Sequence, residues 1–271
     1  MGNKPSLEGT SAQVAEVSKE DTKKPTTESA PDVSKTYEEL VGSNSRTIAE
    51  VSKAKEKPSK PVEEWKEPAT IPKKIPHMYQ AIIKQADDPS DGGLLDKIQS
   101  SGIFLNNKKQ KYWVEKKSGC NCFMLFARGL LITWSENQNF WQWVSLKETG
   151  DEEIEIASLL NVCWLEVHGR FETSYLTPGI MYEVVFMVMM EPGYGWAKPV
   201  NLRLRLPNGY VKQSELCLIE IPKRQWTELK VGEFMAESNL AGEMEFSLYE
   251  YEGGHWKRGL TIKGAVIRPK K

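Results

Sequence analysis

No stretch of the chain is apolar for long enough to cross a bilayer. No apolar h-region follows Met1, so a secretory leader is not expected and the protein is placed in the cytosol, with the nucleus open to it. Glycine-rich loops of the P-loop or dinucleotide kind are missing, as is a G-x-S-x-G nucleophile elbow. Histidine is scarce: His77, His168 and His255 stand apart, and none belongs to a metal or nucleophile motif. His168, beside Gly169 at the end of an expected strand, reads as an exposed turn residue. Net charge is only -1 over 271 residues, so nothing global points to DNA or to an acidic partner. Cysteine is confined to Cys120, Cys122, Cys163 and Cys217. The C-x-C pair has no second pair or spaced histidines to complete a zinc site, and free thiols are expected in a reducing compartment. Cys120, in a Ser-Gly-Cys-Asn stretch, is expected at the surface and open to oxidative crosslinking. No cofactor is implied.

Apolar residues make up 39 % of the chain, which is low enough to expect a sizeable non-globular part. Residues 1–76 carry that deficit. They are rich in Lys, Glu, Ser, Thr and Pro, with Tyr37 and Trp65 as the sole aromatics. Such a segment cannot bury enough surface to offset its ordering entropy, so a disordered tail is expected. Pro58, Pro61, Pro68, Pro72 and Pro76 make its last part an extended linker. Met1-Gly2-Asn3-Lys4-Pro5-Ser6 fits the acylation pattern M-G-x-x-x-[ST], with an ordinary solvated terminus as the alternative. Membrane contact is expected only if Gly2 is myristoylated, and a single chain gives reversible attachment.

Residues 77–102 read as a helical lead-in. Met78, Ala81, Ile82 and Gln85 have helical spacing, Asp87-Asp88-Pro89 stops the run, and Leu94–Gln99 forms a second short helix ended near Gly102. From Ile103 the period changes to two. The expected strands are 111–115, 121–127, 131–134, 140–144, 162–171, 182–190, 201–206, 216–220, 227–233, 243–251 and 260–267. Turns such as Pro207-Asn208-Gly209 punctuate them. Many short strands between Gly and Pro turns indicate an all-β fold, a jelly-roll-like β-sandwich over residues 103–271.

Three of the nine tryptophans fall within Leu130–Trp143, LLITWSENQNFWQW. A polar turn of Ser135, Glu136, Asn137, Gln138 and Asn139 separates two apolar runs. An indole offers a flat face to the C–H side of a pyranose ring, and neighbouring Asn and Gln groups take its hydroxyls and acetamide. The competing reading is that these rings fill a core. Carboxylates crowd Glu243, Glu245, Glu250 and Glu252, and Glu136 sits in the Trp loop. A glycosidase would need two such groups across the scissile bond, and their spacing in space is not legible here.

Several ordered segments carry a resemblance: Asn121–Ala127, Ile132-Thr133-Trp134, Phe140–Trp143, Val162–Val167, Leu176–Phe186, Val231–Phe234, Trp256–Leu260 and Ile267-Arg268-Pro269. Over residues 77–271 the chain resembles the plant phloem protein 2 family and the related tobacco leaf lectin. The resemblance implies a non-catalytic sandwich that binds N-acetylglucosamine oligomers and N-glycan cores, nucleocytoplasmic or in phloem sap, and often a homodimer. It also implies a sugar site of Trp134, Trp141, Glu243 and Glu250, and from the polar turn itself Asn137 and Asn139 are expected to assist. The seven-residue spacing of Glu243 and Glu250 sends them to opposite faces of a regular strand, so either a bulge intervenes, or Glu243 precedes the strand, or only one of them touches sugar. The alternatives left open are an RNA- or protein-binding module whose sugar site has lapsed, and a glycoside hydrolase.

Overall fold

The computed structural model describes residues 75–89, 92–148, 152–194, 196, 198–252 and 254–271. The expected tail up to residue 74, Gly2 included, lies outside the described residues. Two short helices open the described part, α1 (Tyr79–Ile83) and α2 (Leu94–Ser100). Ile82 and Ile98 anchor them in the core.

The strands that follow are β1 (Ile103–Leu105), β2 (Gln110–Val114), β3 (Asn121–Phe126), β4 (Leu131–Ile132), β5 (Trp141–Lys147), β6 (Glu153–Leu159) and β7 (Leu165–Glu172). After them come β8 (Ile180–Met190), β9 (Val200–Arg205), β10 (Val211–Leu216), β11 (Thr227–Ala236), β12 (Glu243–Glu250) and β13 (Leu260–Pro269). They form two antiparallel sheets. In the first, the order is β1-β2-β3-β13-β6-β5, with β8 along the other edge of β13 and β11 outside β8. The second is β10-β9-β12-β7-β4. The fold is an all-β, jelly-roll-like sandwich.

Alternation decides which side chains meet between the sheets. On β7, Leu165, Val167 and Phe171 are buried, whereas Glu166, His168 and Arg170 face away from the core. On β12, Met244, Phe246 and Leu248 point inward. Phe246 meets Phe186 of the other sheet edge-on, with ring centroids 5.6 Å apart. Full burial of one such ring contributes about 2–3 kcal/mol. Its approach to β7 is so close that a Cβ at Gly169 would lie 2.1 Å from the Phe246 ring. Glycine is the residue that admits the ring there.

Some expectations need correction. The strand expected over 216–220 is instead the end of β10 followed by a 3-10 turn over Leu218–Glu220, because β10 begins directly after the Pro207-Asn208-Gly209 turn. β1 and β6 were not among the expected strands, although β6 alternates Glu153-Ile154-Glu155-Ile156 with both isoleucines buried. Cys120 is 2 % exposed rather than a surface thiol. Its neighbour Cys122 is buried as well, and burial pushes that thiol up to about 12, so it stays protonated and inert.

Candidate functional site

The Trp loop leaves β4 at Ile132 and returns at Trp141. Its start is tied to β7: Thr133 N donates to the Glu166 carbonyl at 3.0 Å, and Thr133 Oγ1 donates to the Glu166 carboxylate at 3.2 Å. Trp134 then takes a left-handed backbone with φ of 61°. For a bulky residue this costs about 1–2 kcal/mol. The surrounding bonds hold it. Ser135 N donates to Ile132 O and Asn137 N to Trp134 O. Two indoles from β5 grip the carbonyls on either side of Trp134: Trp141 Nε1 donates to Thr133 O at 3.1 Å, and Trp143 Nε1 to Ser135 O at 3.0 Å. Asn137 closes the turn by accepting Asn139 N on its side chain.

The result is an indole aimed outward. Trp134 is 46 % exposed and leans on Phe140, with centroids 5.2 Å apart. It lines a shallow open depression together with Glu136, Asn137, Gln138 and Asn139. Trp141 behaves differently. It is 1 % exposed and belongs to the core, so in this arrangement it offers no face to a ligand, and the expected stacking role does not fit its burial. Its contribution is to set the loop through its N–H.

Trp143 is half-buried and carries the Arg128 guanidinium 3.6 Å above its ring. Arg128 bonds Glu155 at 2.7 and 3.0 Å and reaches Glu136 in the loop at 3.4 Å. The bonded guanidinium holds the Glu155 carboxyl below the usual carboxylate range.

The two family-suggested glutamates are not brought together. β12 pairs with β7 without a break from Glu243 opposite Glu172 to Glu250 opposite Leu165. With no bulge, Glu243 and Glu250 lie on opposite faces. Glu243 stands on the outer face, its side chain 62 % exposed and 3.8 Å from Arg170. It is about 20 Å along the strand from Tyr249, the β12 residue level with Glu166 and the Trp loop. Glu250 is 3 % exposed and forms an ion pair with the equally buried Lys257. Lys257 also donates to the Cys163 and His255 carbonyls at 2.7 and 2.9 Å. It thereby ties the segment after β12 to the entry of β7. A direct sugar contact through Glu250 does not fit this burial, since both of its oxygens are sealed from solvent. Lys257→Met should destabilise the domain by about 3–5 kcal/mol, because it strands a buried charge. Glu250→Leu combined with Lys257→Met should recover most of that loss. Urea unfolding of the two variants checks it, and equal losses would remove the ion pair from the account.

Glu166 was not expected, yet it joins the loop to the sheet. Its carboxylate accepts from Thr133 Oγ1 and Trp164 Nε1 and meets His168 Nε2 at 3.0 Å. The bonds from His168 and then Trp164 hold this carboxyl below its ordinary range. His168 is thus no exposed turn residue; it sits inside β7, half-buried. Arg128 also escaped the sequence reading, and Trp143 and Trp164 were quoted there without a place in the site. One signal was present: Trp141 and Trp143 each lie eight residues after the carbonyl they hold.

Residues 120–269, from the start of β3 to the end of β13, match the family profile described as phloem protein 2. The chain belongs to the phloem protein 2 family. Among its relatives, Protein PHLOEM PROTEIN 2-LIKE A1 of Arabidopsis thaliana is 50 % identical over 205 residues, covering 73 % of this chain and 82 % of that protein. A protein named Lectin from Luffa acutangula is 41 % identical over 205 residues, covering 73 % of this chain and 96 % of that one. Among solved structures, the xylan-binding domain of a Paenibacillus barcinonensis xylanase aligns over 54 % of this chain and 88 % of that one. Its identity is 12 % and its TM-score 0.33. In this phloem protein 2 chain, then, the matched segment includes the whole Trp loop, the second sheet and the first sheet apart from β1 and β2. Among the described residues no helix is long and apolar enough to cross a membrane.

Proposed function

We propose that the chain is a lectin that binds N-acetylglucosamine oligomers, free or on glycoproteins, without hydrolysing them, and that it acts in the cytosol. The observation that carries this is the Trp134 indole, 46 % exposed and held outward beside Asn137, Asn139 and Glu136. A flat apolar ring takes the C–H face and acetamide methyl of the sugar, while side-chain amides and a carboxylate take its N–H and hydroxyls. Trp134 stacks, and Asn137 and Asn139 supply directional bonds. Trp141 and Glu250 act as positioning residues beneath them. Glu243 would meet only a ligand that crosses the outer sheet face. The relative named Lectin supports the same class. Catalysis is disfavoured because a general acid needs a raised pKa. The shifted carboxyls beside this loop, Glu155 and Glu166, are both held low.

Calorimetry of the full chain with chitotriose tests the reading. Saturable heat at a single site is expected. Absence of heat removes the reading, and release of mono- or disaccharide during incubation replaces it with a hydrolase.

A further inference from the structure

A chain of contacts runs from the His168 ring to Glu166, from Glu166 to Thr133, and from Thr133 into the left-handed Trp134. Glu166 Oε2 accepts from Thr133 Oγ1 at 3.2 Å and from Trp164 Nε1 at 3.0 Å. Its other oxygen, Oε1, meets His168 Nε2 at 3.0 Å and no further hydrogen-bond partner among the described residues. The carboxylate that fastens the start of the loop is therefore oriented on that side by the imidazole.

The ring itself sits between two carboxylates. Nε2 faces Glu166, and Nδ1 lies 3.6 Å from Glu245 of β12. Nδ1 is buried and has no hydrogen-bond partner among the described residues. A neutral imidazole carries one N–H, so one of its nitrogens must turn a lone pair toward a carboxylate. An imidazolium donates from both. The neighbouring charges are these. Arg170, further along β7, reaches Glu245 at 3.5 Å and Glu243 at 3.8 Å. Arg203 of β9 lies 3.9 Å from Glu245, and Arg205 is level with Glu245 in the register. On the other side, β4 places Leu131 opposite His168 and brings no charge. The arginines thus compete with the ring for Glu245, whereas Glu166 Oε1 is left to the imidazole.

We infer that His168 is a positioning residue for the Trp loop, acting through Glu166, and that a proton on its ring tightens the hold of the loop on sugar. The inference rests on the lectin reading and adds a control to the same site. With the ring charged, a charge-assisted bond locks Glu166, its second oxygen stays on Thr133, and Trp134 is set outward before the ligand arrives. With the ring neutral, the tautomer that donates to Glu245 releases Glu166. Ordering the loop is then a cost that binding must meet. Histidine is the side chain that ordinarily changes charge between about pH 5 and 8. Glu166, held below the usual carboxylate range by the bonds from His168 and Trp164, keeps its charge at the acid end of that window. Affinity should therefore rise as pH falls, and by linkage the complex should take up protons.

Calorimetry of the full chain with chitotriose, a ligand with no titrating group, tests this at about pH 5.5 and about pH 8. The parent should bind at least about fivefold tighter at the acid pH. Runs in buffers of different ionisation enthalpy should show proton uptake on binding. His168→Gln keeps an N–H for Glu166 but carries no titrating charge. It should bind with nearly equal affinity at both pH values and take up no proton. His168→Leu, which has no donor, should bind no tighter than the parent does at the alkaline pH, with circular dichroism unchanged. A parent whose affinity does not rise toward acid pH overturns the inference and leaves the lectin reading standing. So does a His168→Gln protein that keeps the parent's pH dependence. Absence of binding at both pH values overturns both readings.

Discussion

Trp134→Ala should cost at least about 2 kcal/mol of chitotriose binding, roughly a thirtyfold loss, as expected for removal of a central aromatic anchor. Retention on a chitin column should disappear. The fold should persist, because the ring is 46 % exposed and its main contact is Phe140 at 5.2 Å. Loss of that aromatic pair is worth about 0.5–1.5 kcal/mol. The backbone supplies an internal control. At φ of 61° alanine inherits the left-handed strain that tryptophan bears, whereas glycine does not. Trp134→Gly should therefore be about 1 kcal/mol more stable than Trp134→Ala, with binding lost in both. Circular dichroism and urea midpoints measure the first part, calorimetry the second. Full binding by Trp134→Ala would remove the indole shelf as the basis of recognition, and global unfolding would make Trp134 a core residue.

Trp141→Ala should lower stability by about 3–5 kcal/mol, the range for deleting a large ring from a packed core. At 1 % exposure Trp141 is among the largest fully buried side chains. The more informative variant is Trp141→Phe. It keeps much of the ring volume but deletes the N–H that holds the Thr133 carbonyl at 3.1 Å. Leaving that carbonyl unmet should cost about 1–3 kcal/mol of stability. Because that carbonyl immediately precedes Trp134, chitotriose affinity of the folded variant should also fall. A Trp141→Phe protein that binds as tightly as the parent would show that the loop does not need this bond. Trp143→Phe, on the other flank, should behave in the same way through Ser135.

Much of the architecture was legible in the residues. Period-two patterning from Ile103 and the Gly/Pro turns indicated a sandwich, and β7, β8, β9, β11, β12 and β13 appear close to where the alternation put them. On β7, β9 and β11 patterning works because one face is more buried than the other, whereas β8 and β13, buried on both faces, are marked by long apolar runs between turns. It failed for β10, whose residues up to Glu215 are exposed on both faces, so that no alternation marks it. It also missed β6, although two glutamates and two isoleucines alternate there. The exposed loop of Trp134, Asn137 and Asn139 was legible from composition, because a polar run between two apolar ones must turn at the surface. Trp141 and Glu250 were not, since residue type alone does not say which side of a strand is sealed.

The amino-acid sequence by itself determined the sandwich class, the family, and the place of a tryptophan-bearing polar turn, because periodicity and composition are local properties. Which indole faces water was decided only in three dimensions. Two side chains of β5 clamp the carbonyls that flank Trp134, Glu166 of β7 fastens the start of the turn, and Lys257 draws Glu250 inward. Each of these bonds joins residues whose proximity depends on strand pairing, and pairing register is a property of the assembled sheets.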